Sequence, residues 1–329
     1  TGSLAGEESS RRVAAEAEAI WERFYPRLEE CWCRDDRCSQ ADGSVYRRAV
    51  IDVGTISVRL LVADVSGETV DTVARRTEVT RLGQGLRPGE RLLPEAAERT
   101  ATAMSRFAEE ARHLGAEAAV MVGTSAVREA ADGPAFLTAV GQRMQVKTVV
   151  LSGREEAEAG YAGVVLDVPG DPVAVDIGGG STEISRRRGI RFETTSLDLG
   201  ATKASERWLA GDPPVPAAVE RARKQAERII GPAAARFTGG LDATEAGATR
   251  LVGVAGTVTT IACLAAGLHE YDREALHLRS LSRAEVKEQF DRLSAMTLEQ
   301  RAASPCVQAG RAPLIVGGAV ILLVVMDAL

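Results

Sequence analysis

Two short stretches of this chain have the residue types and spacing to hold a phosphate. Asp52-Val53-Gly54-Thr55-Ile56-Ser57 and Asp176-Ile177-Gly178-Gly179-Gly180-Ser181 each read aspartate, β-branched residue, glycine, two variable positions, serine. Glycine lets a backbone come close to an anion and offer it N–H groups. An aspartate repels phosphate directly but can hold a hydrated divalent cation that bridges to it. Two such clamps suggest two similar half-molecules facing one phosphorylated ligand. A third turn rich in glycine and threonine, Ala255-Gly256-Thr257-Val258-Thr259-Thr260, is a further phosphate-loop candidate.

Such turns act only where regular elements deliver them. Apolar runs that read as strands precede the turns: Ala49 to Ile51, Val173 to Val175 and Leu251 to Val254. Around the first clamp the pattern predicts further strands at 58–63 and 70–80, a helix at 94–114, a strand at 118–122, a helix at 134–144 opened by Pro134, a strand at 146–151 and a helix at 155–164. A second unit begins near Asp171, with a hairpin through Arg186, Arg187, Arg188 and Gly189 and a helix from Pro216 to Arg236. The three arginines read as a solvated hairpin tip. Strands alternating with helices imply an α/β protein with mixed, mainly parallel sheets.

The chain has 329 residues, enough for two domains at roughly 100–200 residues each. Its formal net charge of −6 argues against a general nucleic-acid binder and requires any polyanion site to be locally basic. The most apolar stretch, Leu314 to Met326, is shorter than the roughly 17–25 residues of a spanning helix. It reads as a buried helix, so no membrane is expected. Five cysteines, an odd number, fit a cytoplasmic protein with reduced thiols. Residues 1–46 form an appendage with a helical apolar stripe at Val13, Ala17, Ile20, Trp21, Phe24 and Leu28, which could pack on the body or on a second copy as a homodimer. Cys31, Cys33 and Cys38 lack a nearby fourth zinc ligand and read as free or adventitiously oxidised thiols.

From Arg47 onward the motifs fall in a recognisable order. They are DVGTISVRLLV at Asp52, RLGQGL at Arg81, GTSAVREA at Gly123, SGREEA at Ser152, DIGGGSTE at Asp176, LGAT at Leu199, GVAGTVTT at Gly253 and GRAPLIVGGA at Gly310. In this order they resemble the exopolyphosphatase/guanosine pentaphosphate phosphohydrolase family, in its short form, within the actin-like, sugar-kinase-like, Hsp70-like superfold. The resemblance implies two actin-like (ribonuclease H-like) lobes, 47–165 and 166–313, with an interdomain cleft. It also implies a C-terminal helix, 314–329, that returns to the first lobe.

The resemblance further implies release of terminal phosphate from inorganic polyphosphate, guanosine pentaphosphate or both. Glu156 matches the catalytic base and Arg128 the phosphate-binding arginine. Gly54, Thr55 and Ser57 match one phosphate clamp. Gly178, Gly179, Gly180, Ser181 and Thr182 match the other, and Gly256 and Thr257 fall in the third loop. Asp176, Glu183 and Asp52 match carboxylates around a divalent metal, expected to be Mg²⁺. One departure is plain: the family's first clamp reads D-x-G-S-N followed by S or T, and Ile56 stands here in place of the amide. Two other functions fit the same motifs. One is a kinase or ATPase of the superfold, for which no acceptor pocket is evident. The other is a non-catalytic sensor of alarmone or polyphosphate, which the loss of the amide at Ile56 would suit.

Overall fold

The computed structural model describes residues 45–66, 69–168, 170–238 and 250–329. The Val13 to Leu28 stripe and Cys31, Cys33 and Cys38 lie outside them. The chain divides into two compact units, one ending at Gly170 and the other Asp171–Leu329. The boundary falls a few residues beyond the 165/166 division expected from sequence.

The first unit opens with an antiparallel meander of β1 (Tyr46–Val53), β2 (Ser57–Ser66) and β3 (Thr69–Val79). Then follow α1 (Pro94–His113), β4 (Ala118–Gly123), α2 (Ser125–Glu129), α3 (Gly133–Met144), β5 (Lys147–Val150) and α4 (Gly153–Asp167). The sheet order is β3-β2-β1-β4-β5, with β4 and β5 parallel to β1. Ala96, Thr100, Ala103, Met104, Phe107, Ala108 and Ala111 recur at helical spacing on α1 and are all buried. Ile51, Val53, Leu60 and Met121 from the sheet join the same core.

The second unit repeats the plan. β6 (Val173–Ile177), β7 (Thr182–Arg188) and β8 (Arg191–Leu197) form an antiparallel meander. After α5 (Ala201–Trp208) and α6 (Pro216–Thr238), β9 (Leu251–Val254) adds parallel to β6, giving the order β8-β7-β6-β9. The remaining helices are α7 (Ala255–Ala265), α8 (Arg273–Leu276), α9 (Arg283–Ala295), α10 (Leu298–Ala302) and α11 (Ile315–Ala328). Both sheets are therefore mixed. Their large antiparallel share comes from the two meanders.

Helix α11 is buried at every position from Ile315 to Val325. A helix apolar on all sides belongs in the middle of a core, and this one packs in the second unit against α5, α6, α7 and α9. The expected return to the first lobe is replaced by this central place in the second. Its glycines make the packing close: a Cβ at Gly317 would overlap the Ser205 hydroxyl of α5, and one at Gly318 would overlap the Thr257 side chain of α7. No described helix is long and apolar enough to cross a membrane.

Two further expectations change. Arg186 is not at a solvated tip. It is buried, ion-paired to Glu193 at 3.0 Å, bonded to the Arg236 and Phe237 carbonyls, and set over the Phe237 ring at 5.7 Å. Cys263 and Cys306 form a disulfide joining α7 to the segment ahead of α11, where reduced thiols were expected.

Candidate functional site

In the first unit the expected groups meet at one sheet edge. Strands β1, β4 and β5 run parallel, so their C-terminal ends lie side by side. The Gly54–Ser57 turn leaves β1, α2 with Arg128 leaves β4, and α4 with Glu156 follows β5. In parallel α/β sheets this carboxyl edge is where ligands bind. Thr124 N–H donates to the Val53 carbonyl at 3.3 Å, and Leu151 N–H donates to the Gly123 carbonyl at 2.9 Å, which ties the three exits together.

The start of α4 separates the roles of its two neighbouring glutamates. Ser152 caps the helix, and Glu155 completes the capping box by accepting from Ser152 N–H at 2.8 Å. Glu156 is left for other work. Arg128 Nη1 donates to Glu156 Oε2 at 3.1 Å and to the Leu151 carbonyl at 2.7 Å. Both side chains are about a quarter exposed (26% and 23%), so the pair is open to a ligand. The rest of the guanidinium, Nη2 and Nε, donates to no described residue, which leaves the fork that suits phosphate.

The two clamps are alike in detail. Gly54 N–H donates to the Ser57 carbonyl at 3.0 Å, and Gly178 N–H donates to the Ser181 carbonyl at 3.0 Å. Thr55, Ile56, Gly179 and Gly180 are buried, yet their N–H groups donate to no described backbone acceptor. Buried amides are normally paired. At two equivalent turns, amides that donate to no described backbone acceptor have the form of an anion-binding nest. The Ile56 side chain packs inward, so the departure from the family pattern falls on a buried side chain while the amide remains. Ser57 and Ser181 are also buried. The Thr182 hydroxyl, expected on phosphate, donates instead to the Leu199 carbonyl at 2.6 Å in a fully buried position.

The carboxylates differ between the turns. Asp176 sits opposite Glu183 across the β6–β7 pair, and Glu183 accepts from Ser196 Oγ at 2.6 Å. The equivalent cross-strand partner of Asp52 is Arg59, 3.6 Å away. Desolvation pushes the Asp52 carboxyl above its ordinary pKa, with Arg59 opposing. Asp52, expected as a metal ligand, therefore faces a cation where Asp176 faces a carboxylate. Among the described residues no group of three or more His, Cys, Asp or Glu is arranged to hold a metal.

Gly256 and Thr257 begin α7 at the carboxyl end of β9, beside the β6 clamp. Ala255 there has φ +72°, a strained left-handed backbone. A Cβ at Gly256 would overlap the Arg311 guanidinium. Arg311 was given no role from sequence. Its GRAP motif, quoted for the resemblance, was the available signal.

A model of the "Ppx/GppA phosphatase family" matches residues 61–329. The chain is 38% identical over 291 residues to "Exopolyphosphatase 2" of Mycobacterium tuberculosis, covering 84% of this chain and 89% of that protein. Among solved structures, an exopolyphosphatase-like protein is 31% identical with TM-score 0.75, covering 85% of this chain and 88% of the other. The Aquifex aeolicus member of the family is 26% identical with TM-score 0.70, covering 87% and 91%. With the family model spanning most of its length and a relative of this identity, the chain belongs to the Ppx/GppA phosphatase family.

Proposed function

We propose that this chain is a phosphoanhydride hydrolase that releases terminal phosphate from inorganic polyphosphate, with guanosine pentaphosphate as the nucleotide substrate of the same site. The observation that carries this reading is the Arg128–Glu156 pair on the sheet edge that also bears the Gly54–Ser57 turn. The 38% identity to an exopolyphosphatase supports polyphosphate as the substrate class.

In this reading the Thr55 and Ile56 amides and the Arg128 fork hold phosphate oxygens, the Gly179 and Gly180 amides form an anion seat of the second unit, and Glu156 takes a proton from the attacking water at its carboxylate. General bases of this kind contribute about 10²–10⁴-fold. Phosphoryl transfer otherwise needs positioning and charge neutralisation rather than a covalent nucleophile. Asp176 and Glu183 are hard oxygen donors in facing register and fit a divalent cation such as Mg²⁺ that keeps most of its waters. When bound, the cation would neutralise charge on the phosphate oxygens. Asp52 remains with Arg59 in this scheme and outside the metal set. Arg59 and Arg128 supply the local positive charge that an acidic chain needs beside a polyanion.

The test is phosphate release from long-chain polyphosphate and from guanosine pentaphosphate, with Mg²⁺, by wild type and Glu156→Gln. Turnover by wild type that collapses in the variant supports the proposal. Binding of both polyanions without turnover would replace it with the sensor function, and transfer of phosphate to a sugar acceptor would replace it with a kinase.

A further inference from the structure

Each phosphate turn is held from behind by a later segment of its own unit. In the first unit the chain leaves β3 and passes through Thr80 to Gly83. Thr80 N–H and Arg81 N–H both donate to the Ile56 carbonyl, at 3.0 and 2.8 Å, and Gly83 N–H donates to the Thr55 carbonyl at 3.0 Å. In the second unit the chain leaves β8 and passes through Leu199 to Thr202. Ala201 N–H donates to the Gly178 carbonyl and Thr202 N–H to the Gly179 carbonyl, each at 2.9 Å, while the Thr182 hydroxyl donates to the Leu199 carbonyl. The equivalent segment does the same work in both units. It takes up carbonyls of the turn, while the amides of Thr55, Ile56, Gly179 and Gly180 donate to no described backbone acceptor.

Each segment places one glycine where no side chain fits. A Cβ at Gly200 would overlap the Gly179 carbonyl and lie 2.6 Å from the Gly180 nitrogen, both backbone groups of the turn. A Cβ at Gly83 would overlap the Thr55 methyl and lie 3.4 Å from Ala126 Cβ, on the helix that carries Arg128. Neither glycine needs its conformational freedom, since neither has a positive φ. What each supplies is the absence of a side chain behind a loop that must not move.

We infer that Gly83 and Gly200 are positioning residues, and that the segments 80–83 and 199–202 are clips that set the two phosphate turns by binding their carbonyls. Both motifs, RLGQGL and LGAT, then have a task that touches no substrate. The inference rests on the proposed phosphate-binding reading of the turns and assigns the residues that pre-organise them.

The test compares Gly83→Ala, Gly200→Ala and Ala201→Pro with a control, Gly231→Ala, whose added methyl on α6 meets open space. Ala201→Pro deletes the N–H bound to Gly178 at the first position of a helix, where proline is tolerated after an extended residue, and adds a ring at a buried residue. Each variant is measured for kcat and KM on polyphosphate, for melting temperature, and for calorimetric binding of inorganic phosphate. Since a misplacement of about 1 Å can cost about 10²-fold, Gly200→Ala and Gly83→Ala should lose kcat on that scale and bind phosphate more weakly. The melting temperature should stay high enough for folded protein, and Gly231→Ala should match wild type. Should a glycine variant fail to fold, Ala201→Pro decides. An active wild type with unchanged kcat and phosphate binding in the folded variants overturns the inference. A wild type that binds phosphate without turnover, while the clip variants bind it less, sinks the hydrolase reading and keeps this one. A wild type that binds no phosphate overturns both.

Discussion

Arg128 Nη1 lies 3.1 Å from Glu156 Oε2 while also donating to the Leu151 carbonyl at 2.7 Å. One guanidinium nitrogen thus fixes the glutamate side chain and anchors itself to the strand exit, so positioning of the proposed base depends on the arginine. Arg128→Lys keeps the charge but cannot make both bonds and still offer a planar fork. It should raise KM for polyphosphate and lower kcat, each by at least about tenfold, with a melting temperature close to wild type because the pair is partly exposed. Steady-state phosphate release with a thermal melt checks this. Activity near wild type in Arg128→Lys would mean the fork is not used.

Asp52 gives a pH prediction. Desolvation raises its carboxyl above the ordinary value, despite Arg59. An acid raised in the folded state contributes stability that is complete below its unfolded pKa and is lost as pH rises through its folded one. At pH 7, above its unfolded pKa, Asp52 therefore costs stability relative to a neutral side chain. Asp52→Asn should melt higher than wild type at pH 7, and the gap should close in acid once both forms are neutral. A variant that melts lower at pH 7 would show that the Arg59 pairing outweighs burial.

Arg186 gives a stability prediction with no catalytic content. Removing it strands two carbonyls and the Glu193 carboxylate. Arg186→Ala should cost about 1–3 kcal/mol, the scale for leaving buried hydrogen-bond acceptors unpaired, since the Glu193 carboxylate is partly exposed. Urea unfolding measures it. A loss below about 1 kcal/mol would place the side chain at the surface.

The sequence was most legible where chemistry and local pattern coincide. The two glycine turns, the strand that feeds each, and the helices that carry Glu156 and Gly256 were all readable because they are local. Arg128 and Glu156 came from motif resemblance, and their contact could not be read because the residues are far apart along the chain. The same limit explains Arg186, whose partners at Arg236 and Phe237 are some fifty positions away and turn a supposed surface tip into a buried anchor. It explains Thr182, whose hydroxyl is taken by Leu199, and α11, whose apolar faces could not say which unit they fill. The clips were visible as motifs, but their function lies in hydrogen bonds to another loop.

The most direct measurement is phosphate release from long-chain polyphosphate by Glu156→Gln. The substitution keeps the side chain's shape and an oxygen that can accept from Arg128, while removing the ability to take a proton at that site. The account predicts kcat lower by about 10²–10⁴-fold, KM within about threefold of wild type, and an unchanged melting temperature. A kcat equal to wild type would contradict it.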